Sequence, residues 1–246
     1  MIAWLGMYDM APLRAANDRF WIGIRRALGY GPATLSREAD PWEVWQSPDL
    51  LLAQTCGLPY RIRLHRTVTL VATPDYGLPG CPPGHYNSVL VVRADAAGET
   101  PEDFAGGTLA YNEALSQSGW AAPSTFFAAR GIGFADLLRT GAHAASARAV
   151  AEGRADVAGI DALTWALLCA HDPVTDALRV IGATEPTPAL PFVTAAGRDP
   201  APLRDALRTA VRTLAAEDRA ALHLRGIEVL PPSAYLSVPT PPPPGA

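Results

Sequence analysis

The chain has 246 residues, of which 49% are hydrophobic and 18% are charged, a balance typical of a folded globular protein and not of a disordered one. Its net charge is −4 at pH 7 and no run of basic residues occurs, so we expect no nucleic-acid partner. The long uncharged stretches 180–197 and 229–246 are interrupted by Pro or polar residues, so we expect no membrane insertion.

Strands and helices alternate along most of the chain. Residues Phe20, Ile24 and Leu28, for example, recur at helical spacing and place one apolar face on a helix. In chain order the sequence predicts a strand at 1–8, a helix at 11–28, strands at 49–54, 67–73 and 88–93, a helical turn at 101–104, a strand at 107–111, a helix from 118 to about 130, a helix at 144–152, a strand at 155–160, a helix at 162–170, a strand at 177–182, and helices at 202–215 and 217–224. This alternation predicts an α/β fold with a largely parallel sheet.

Two extended segments, 87–93 and 186–193, are interpreted as crossings between two lobes. Lobe one then comprises 1–90 and 194–246, lobe two comprises 91–193, and the proline-rich tail 239–246 is expected to be disordered. Ligands of open α/β sheets bind beyond the carboxyl ends of the strands. The residues that follow predicted strands are therefore expected to meet in a ligand cleft between the lobes: Tyr8 and Asp9, Gln54 and Thr55, Asn112 to Gly119, and Asp161.

The segment 111–123, YNEALSQSGWAAP, is the most informative part of the sequence. It joins a predicted strand to a predicted helix, and the first N–H groups of a helix have no partner within the helix. Ser118 is predicted to cap this helix, and Gly119 permits a ligand to approach the backbone closely. Considered alone, these residues favour ordinary helix capping over anion binding, because most serine-rich helix starts bind nothing.

The three cysteines, Cys56, Cys81 and Cys169, form no CxxC pair, so no structural zinc site is expected. No other metal site and no cofactor are predicted. Cys56 and Cys81 lie in Gly/Pro loops, where they could pair as a disulfide or remain thiols.

Several ordered motifs resemble the phosphate/phosphonate-binding component of ABC transporters, which has the type II periplasmic-binding-protein fold. Residues 103–107 (DFAGG) resemble the family's DLxG turn, and 116–119 (SQSG) with Pro123 resemble its S-x-SG…P anion loop. Residues 140–143 (TGAH) and 149–161 (AVAEGRADVAGID) resemble its GxH…AVxxGxxDxaxxD stretch. The resemblance is specific over about 100–195 and looser in lobe one, and it favours anion binding over simple capping.

The resemblance implies that the Ser116 and Ser118 hydroxyls and the N–H groups near Gly119 hold phosphate-type oxygens. His143 would face the anion from a helix start, and Asp161 would accept a hydrogen bond from a protonated ligand oxygen or amine. Tyr8 and Asp9 are candidates for contacting the organic part of the ligand. The full set of candidate ligand-binding residues is Tyr8, Asp9, Thr55, Asn112, Ser116, Gln117, Ser118, Gly119, His143 and Asp161, and none is assigned a catalytic role.

Two functions follow from these observations. The first is a monomeric solute-binding protein that captures a small oxyanion (phosphate, phosphonate or a phosphorylated small molecule) between two lobes. It would serve ABC-type transport or sensing, with an ABC permease as a possible partner. The second is a cytosolic enzyme on the same fold, of the menaquinone-pathway or thiamine-precursor type, with His143, Asp9, Asp161 and Cys56 as candidate groups.

The apolar start 1–8 has no preceding basic residue and is interrupted by Asp9, which predicts a cytoplasmic chain as written, or a periplasmic one if the natural chain starts further upstream. Gln117 also departs from the family pattern, which has a smaller hydroxyl residue between the serines.

Overall fold

The computed structural model describes residues 1–245, which form two compact units. Unit 1 comprises Met1–His85 and Pro188–Ser237, and unit 2 comprises Tyr86–Thr187 and the segment from Val238 onward. The chain therefore changes unit close to each predicted crossing. The tail belongs to unit 2, whereas the sequence had placed it in lobe one.

The strands are short and are distributed over the whole chain. In chain order they are β1 (Ile2–Trp4), β2 (Leu50–Gln54), β3 (Val68–Asp75), β4 (His85–Tyr86), β5 (Ser88–Arg93), β6 (Thr108–Tyr111), β7 (Asp136–Arg139), β8 (Val157–Asp161), β9 (Leu178–Ala183), β10 (Thr187–Pro188), β11 (Phe192–Ala195) and β12 (Gly226–Glu228). β4 and β10 form a separate two-stranded sheet.

The helices are α1 (Arg14–Leu28), α2 (Pro41–Gln46), α3 (Gly57–Pro59), α4 (Ala122–Ala128), α5 (His143–Ala151), α6 (Ala162–His171), α7 (Ala201–Thr213), α8 (Ala216–Ala221) and α9 (Pro232–Leu236). Single 3-10 turns cover Gly6–Tyr8, Ala11–Leu13, Pro101–Phe104 and Pro173–Ala177, and wider five-residue turns cover Tyr60–Leu64 and Gln117–Ala121. No helix in residues 1–245 combines the length and the apolar composition that crossing a membrane requires.

Unit 1 is built on a five-stranded sheet with the order β1-β2-β11-β3-β12. β1 and β2 are parallel, whereas β11 is antiparallel to both β2 and β3. Trp4 and Trp45 pack edge to face with ring centroids 5.9 Å apart in the core of this unit. Tyr235 of α9 is anchored in the same core, because its hydroxyl donates to the Ala189 carbonyl at 2.8 Å and lies 2.6 Å from Thr73 Oγ1.

Unit 2 is built on a second five-stranded sheet with the order β7-β6-β8-β5-β9. β6 is parallel to β7 and to β8, and β5 is antiparallel to β8 and to β9. A core of aromatic and aliphatic side chains on this sheet includes Leu109, Tyr111, Trp120 and Phe127. Burial of such side chains stabilises the fold by about 1.5–3 kcal/mol each.

The expected α/β class is confirmed, but the expectation of a largely parallel sheet was wrong. Both sheets are mixed, because β11 enters the unit 1 sheet and β5 enters the unit 2 sheet in the antiparallel direction. Four further elements, α2, β7, β12 and α9, were not predicted, and they are only three to six residues long. The first predicted strand, 1–8, was too long, since a 3-10 turn replaces it from Gly6.

Candidate functional site

The chain connections of unit 2 meet at one edge of its sheet. β6, β7 and β8 are parallel, so their carboxyl ends lie at the same edge. Asn112 follows β6, Thr140 follows β7, and Asp161 is the last residue of β8. β5 runs the other way and begins at this edge, where Ser88 pairs with Asp161. The strand-end rule thus brings these polar residues together within one unit.

The serine turn, Ser116–Ala121, lies at this edge between β6 and α4. The Ser116 side chain caps it by accepting the Gly119 N–H at 2.9 Å, and the Ser116 carbonyl accepts the Ala121 N–H at 3.0 Å. This second bond spans five residues and makes the turn wider than an ordinary helical turn. The prediction that Ser118 caps the helix was wrong, because the wide turn begins two residues earlier and Ser116 takes that role.

Ser118 is consequently available for other contacts, although it is only 3% exposed. Its Oγ lies 3.0 Å from His143 Nε2. Its carbonyl accepts a hydrogen bond from Ser88 Oγ at 2.8 Å, which ties the turn to the first residue of β5. No local sequence pattern identifies Ser88, because its role depends on the antiparallel placement of β5.

Gly119 is required by the close approach of Asn112 and His143. A Cβ atom at Gly119 would lie 1.9 Å from Asn112 Oδ1 and 3.2 Å from His143 Cε1. Asn112 Oδ1 is buried and has no hydrogen-bond partner among residues 1–245. A buried polar atom of this kind is costly unless a ligand or water satisfies it, so the turn carries a feature of a binding site.

A second glycine, Gly159 in β8, seats the serine turn on the sheet. A Cβ atom there would lie 2.1 Å from Pro123 Cγ and 3.2 Å from the Ser118 carbonyl oxygen. Pro123, near the start of α4, therefore packs directly on the backbone of the middle strand.

His143 is the first residue of α5, as the sequence predicted. Burial lowers the pKa of its imidazole from the ordinary value of 6.5 to about 4, and the nearby Gly159 backbone offsets this effect only in part. Nδ1 is buried and makes no hydrogen bond of good geometry to the described residues. The ring is therefore neutral at pH 7 and has one donor and one acceptor nitrogen.

Asp161 and Gln117 are also buried in unit 2, with 2% exposure each. Asp161 caps α6, since its Oδ1 accepts the Thr164 N–H at 2.8 Å. Capping occupies one carboxylate oxygen and is compatible with a further contact from the other.

The three candidate residues of unit 1 have structural partners of their own. The Tyr8 and Tyr76 rings pack edge to face at 5.5 Å. The Asp9 carboxylate accepts hydrogen bonds from Arg37 at 2.6 Å and from Asn17 at 3.0 Å, which makes it a structural ion pair. Thr55 is fully buried, its N–H donates to Pro191 and its Oγ1 has no partner in the described part of the chain.

Tyr8 and Tyr76 also line a cavity of unit 1 with a volume of about 330 Å³ including its open mouth. Gln54 lies in its wall and donates to Tyr76 Oη at 2.8 Å and to the Leu190 carbonyl at 3.1 Å. The remaining lining is largely apolar, with Phe20 and Phe192 among its members. Tyr76 is a lining residue that the sequence analysis did not single out.

The chemistry of the unit 2 edge suits a small oxyanion. It combines hydroxyl, amide and imidazole groups with the N-terminus of α5, and none of these side chains is Lys or Arg.

Residues 1–245 contain no group of three or more His, Cys, Asp or Glu side chains placed to hold a metal ion. The three cysteines are free thiols, so the possible disulfide between Cys56 and Cys81 is not formed.

Solved structures of proteins from several bacteria have the same fold. PhnD1 from Prochlorococcus marinus in complex with methylphosphonate has a TM-score of 0.75 and 15% identity, covering 95% of this chain and 94% of that one. A binding protein component of an ABC phosphonate transporter from Pseudomonas aeruginosa has a TM-score of 0.68 and 19% identity, covering 93% and 81%. A Xanthomonas citri protein bound to ATP has a TM-score of 0.68 and 17% identity, covering 95% and 92%. The fold is therefore that of the type II periplasmic binding proteins.

A family model narrows this class. The model for the periplasmic substrate-binding protein of phosphonate ABC transporters matches residues 49–233, and the chain belongs to this family. It is a solute-binding component whose partners are a small ligand and an ABC permease, and the comparisons contain no support for the enzyme alternative. No curated protein matches the chain in sequence.

Proposed function

We propose that the chain binds a phosphonate-type oxyanion at the unit 2 edge and supplies it to its permease. The observation that carries this proposal is the convergence of Ser116, Ser118 and His143 on Gly119, where a Cβ atom has no room. The unsatisfied Asn112 Oδ1 beside them is an acceptor, so it suits a protonated phosphonate oxygen. Ser116 and Ser118 carry hydroxyls, which donate strongly to a charged oxygen, and the neighbouring α5 N-terminus favours negative charge.

The ligand class is proposed from the family and from one relative. The Prochlorococcus marinus structure contains methylphosphonate, and the same fold places this chain's Ser-x-Ser-Gly turn after a sheet strand. Neutral hydroxyl and imidazole donors suit an anion whose oxygens accept several directed hydrogen bonds. Asp161 supplies an acceptor for a protonated phosphorus oxygen, which sulfate at neutral pH does not have.

Calorimetric titration with methylphosphonate tests the proposal. We expect Ser118→Ala to weaken binding about ten- to a hundredfold, since a hydrogen bond to a charged group contributes about 1.5–3 kcal/mol. Ser233→Ala is the matched control, because Ser233 is an exposed serine of α9 in unit 1. Equal affinities for the wild-type protein, Ser118→Ala and Ser116→Ala would contradict the proposed site.

We expect the bound ligand to be released unchanged. Ser118 Oγ and His143 Nε2 are 3.0 Å apart, within the range of a nucleophile and its base, which the sequence analysis could not foresee. However, no carboxylate of the described residues orients His143 through Nδ1, as such a pair requires. Phosphorus-31 spectra of methylphosphonate and of a phosphonate ester, recorded before and after incubation, distinguish binding from hydrolysis.

A further inference from the structure

The proline-rich C-terminal tail makes a specific contact with the serine turn. Trp120 Nε1 donates a hydrogen bond to the Pro242 carbonyl at 3.0 Å, and both residues belong to unit 2. Pro239 and Thr240 have interaction partners as well. The tail forms no helix or strand over 239–245, as its composition predicts, but the prediction of a disordered tail does not account for these contacts. Its last residue, Ala246, lies outside the described residues.

Trp120 links the tail to the residues proposed to hold the anion. Trp120 directly follows Gly119 and is 8% exposed, and its backbone N–H donates to the Ser116 carbonyl at 3.3 Å. Its ring packs against Tyr111 with centroids 5.3 Å apart, at the end of β6. An indole N–H is a donor only and needs an acceptor when the ring is buried, and the tail supplies that acceptor.

The proline-rich composition of the tail suits this role. Proline has no backbone N–H, so its carbonyl accepts without the residue also requiring an acceptor. Consecutive prolines are already extended in the unfolded chain, so docking restricts few additional conformations. A segment of this kind can hold the Trp120 ring at a small entropic cost.

We propose that the tail is a positioning element of the anion site. The Pro242 carbonyl accepts a hydrogen bond from the Trp120 indole N–H. This bond fixes the Trp120 ring and, through the ring, the backbone of Ser118 and Gly119. The tail thereby raises anion affinity without contacting the ligand. This inference rests on the proposed function, because the turn is positioned for the ligand assigned to it there.

Two variants remove the contact from opposite sides. A chain ending at Val238 lacks the acceptor, and Trp120→Phe lacks the donor but keeps an aromatic ring against Tyr111. Each should weaken methylphosphonate binding about three- to tenfold, the effect of one hydrogen bond. The two changes combined should weaken binding no more than the shortened chain alone, since Trp120→Phe then has no acceptor left to lose. Pro242→Ala keeps the carbonyl and is the matched control.

A second readout separates positioning from general stability and does not need a ligand. The Gly119 amide, which is bonded to Ser116 Oγ, should exchange its hydrogen about three- to tenfold faster in the shortened chain, whereas amides of β5 should not change. In the intact protein, saturating methylphosphonate should slow hydrogen exchange at the Trp120 indole N–H. The factor should equal the one by which the tail raises methylphosphonate affinity, because the coupling between ligand binding and tail docking is reciprocal.

The outcomes distinguish this inference from the proposed function. If Ser118→Ala loses affinity while the shortened chain and Trp120→Phe bind like the wild type, the tail has no positioning role and the proposed function stands. Additive losses in the combined variant also overturn the inference, since independent contacts would be involved. If the wild type does not bind methylphosphonate, the proposed function fails. The inference then depends on the exchange experiment alone, and it is overturned if the Gly119 amide exchanges its hydrogen at the same rate in the shortened chain as in the wild type.

Discussion

Replacing Gly119 with Ala tests the geometry of the serine turn most directly. The added Cβ would lie 1.9 Å from Asn112 Oδ1, more than 1 Å closer than non-bonded atoms approach, and 3.2 Å from His143 Cε1. The Asn112 side chain must therefore move, and it is partly buried in a packed turn. Overpacking of this kind costs about 1–3 kcal/mol of unfolding free energy. We expect Gly119→Ala to lose stability in that range.

The same substitution should weaken methylphosphonate binding about tenfold or more, because a shift of about 1 Å in Asn112 and His143 disturbs the directed hydrogen bonds. Denaturant unfolding of the ligand-free protein measures the stability, and calorimetry measures the affinity. Gly133→Ala is the control, since a Cβ atom at Gly133 has no neighbour within 4 Å and its φ is not left-handed.

A rescue experiment completes this test. Adding Asn112→Ala to Gly119→Ala removes the clashing oxygen and should restore most of the lost stability, but not the affinity. The reasoning is refuted if Gly119→Ala and Gly133→Ala unfold within about 0.5 kcal/mol of each other, the usual range of neutral surface changes.

The remaining predictions concern stability. Burial lowers the folded-state pKa of His143 from 6.5 to about 4, so between these pH values the unfolded chain binds more protons than the folded protein. The free energy of unfolding should therefore fall by up to about 3 kcal/mol as the pH is lowered from 6.5 to 4. His143→Gln should flatten that decline in unfolding curves measured at several pH values. Tyr235→Phe should cost about 1–3 kcal/mol in denaturant unfolding, because it leaves Thr73 and the Ala189 carbonyl without their buried partner, whereas Tyr30→Phe at an exposed position should be neutral.

Local patterns were sufficient to place several site residues on their elements. A helix start at His143 was expected from the motif and a helix directly after Asp161 from the alternation of elements, and both are observed. Strand alternation also predicted that Asn112 and the serine turn follow a strand. These features depend on neighbours within a few residues, which is the range over which sequence patterns are informative.

Contacts between distant segments could not be predicted in the same way. The antiparallel entry of β5, which gives Ser88 its role, is decided by pairing with β8, about 70 residues later. Asp9 looked like a free strand-end carboxylate because its partner Arg37 is 28 residues away. The choice of Ser116 over Ser118 as the cap depended on a five-residue turn, whereas either serine fits an ordinary helix start.

The packing of Pro123 on Gly159 has a consequence for how this binding protein can change its ligand. The serine turn rests on the middle strand with no space for a side chain at position 159, and it closes around Gly119 with none there either. New specificity is therefore not expected from larger residues at these two positions. A side chain at 159 would displace Pro123 and the Ser118 carbonyl from the sheet, and one at 119 would push the Asn112 and His143 side chains aside. Variation is confined to side chains that point away from these contacts, and transplanting the turn to another scaffold requires its supporting strand to be transferred with it.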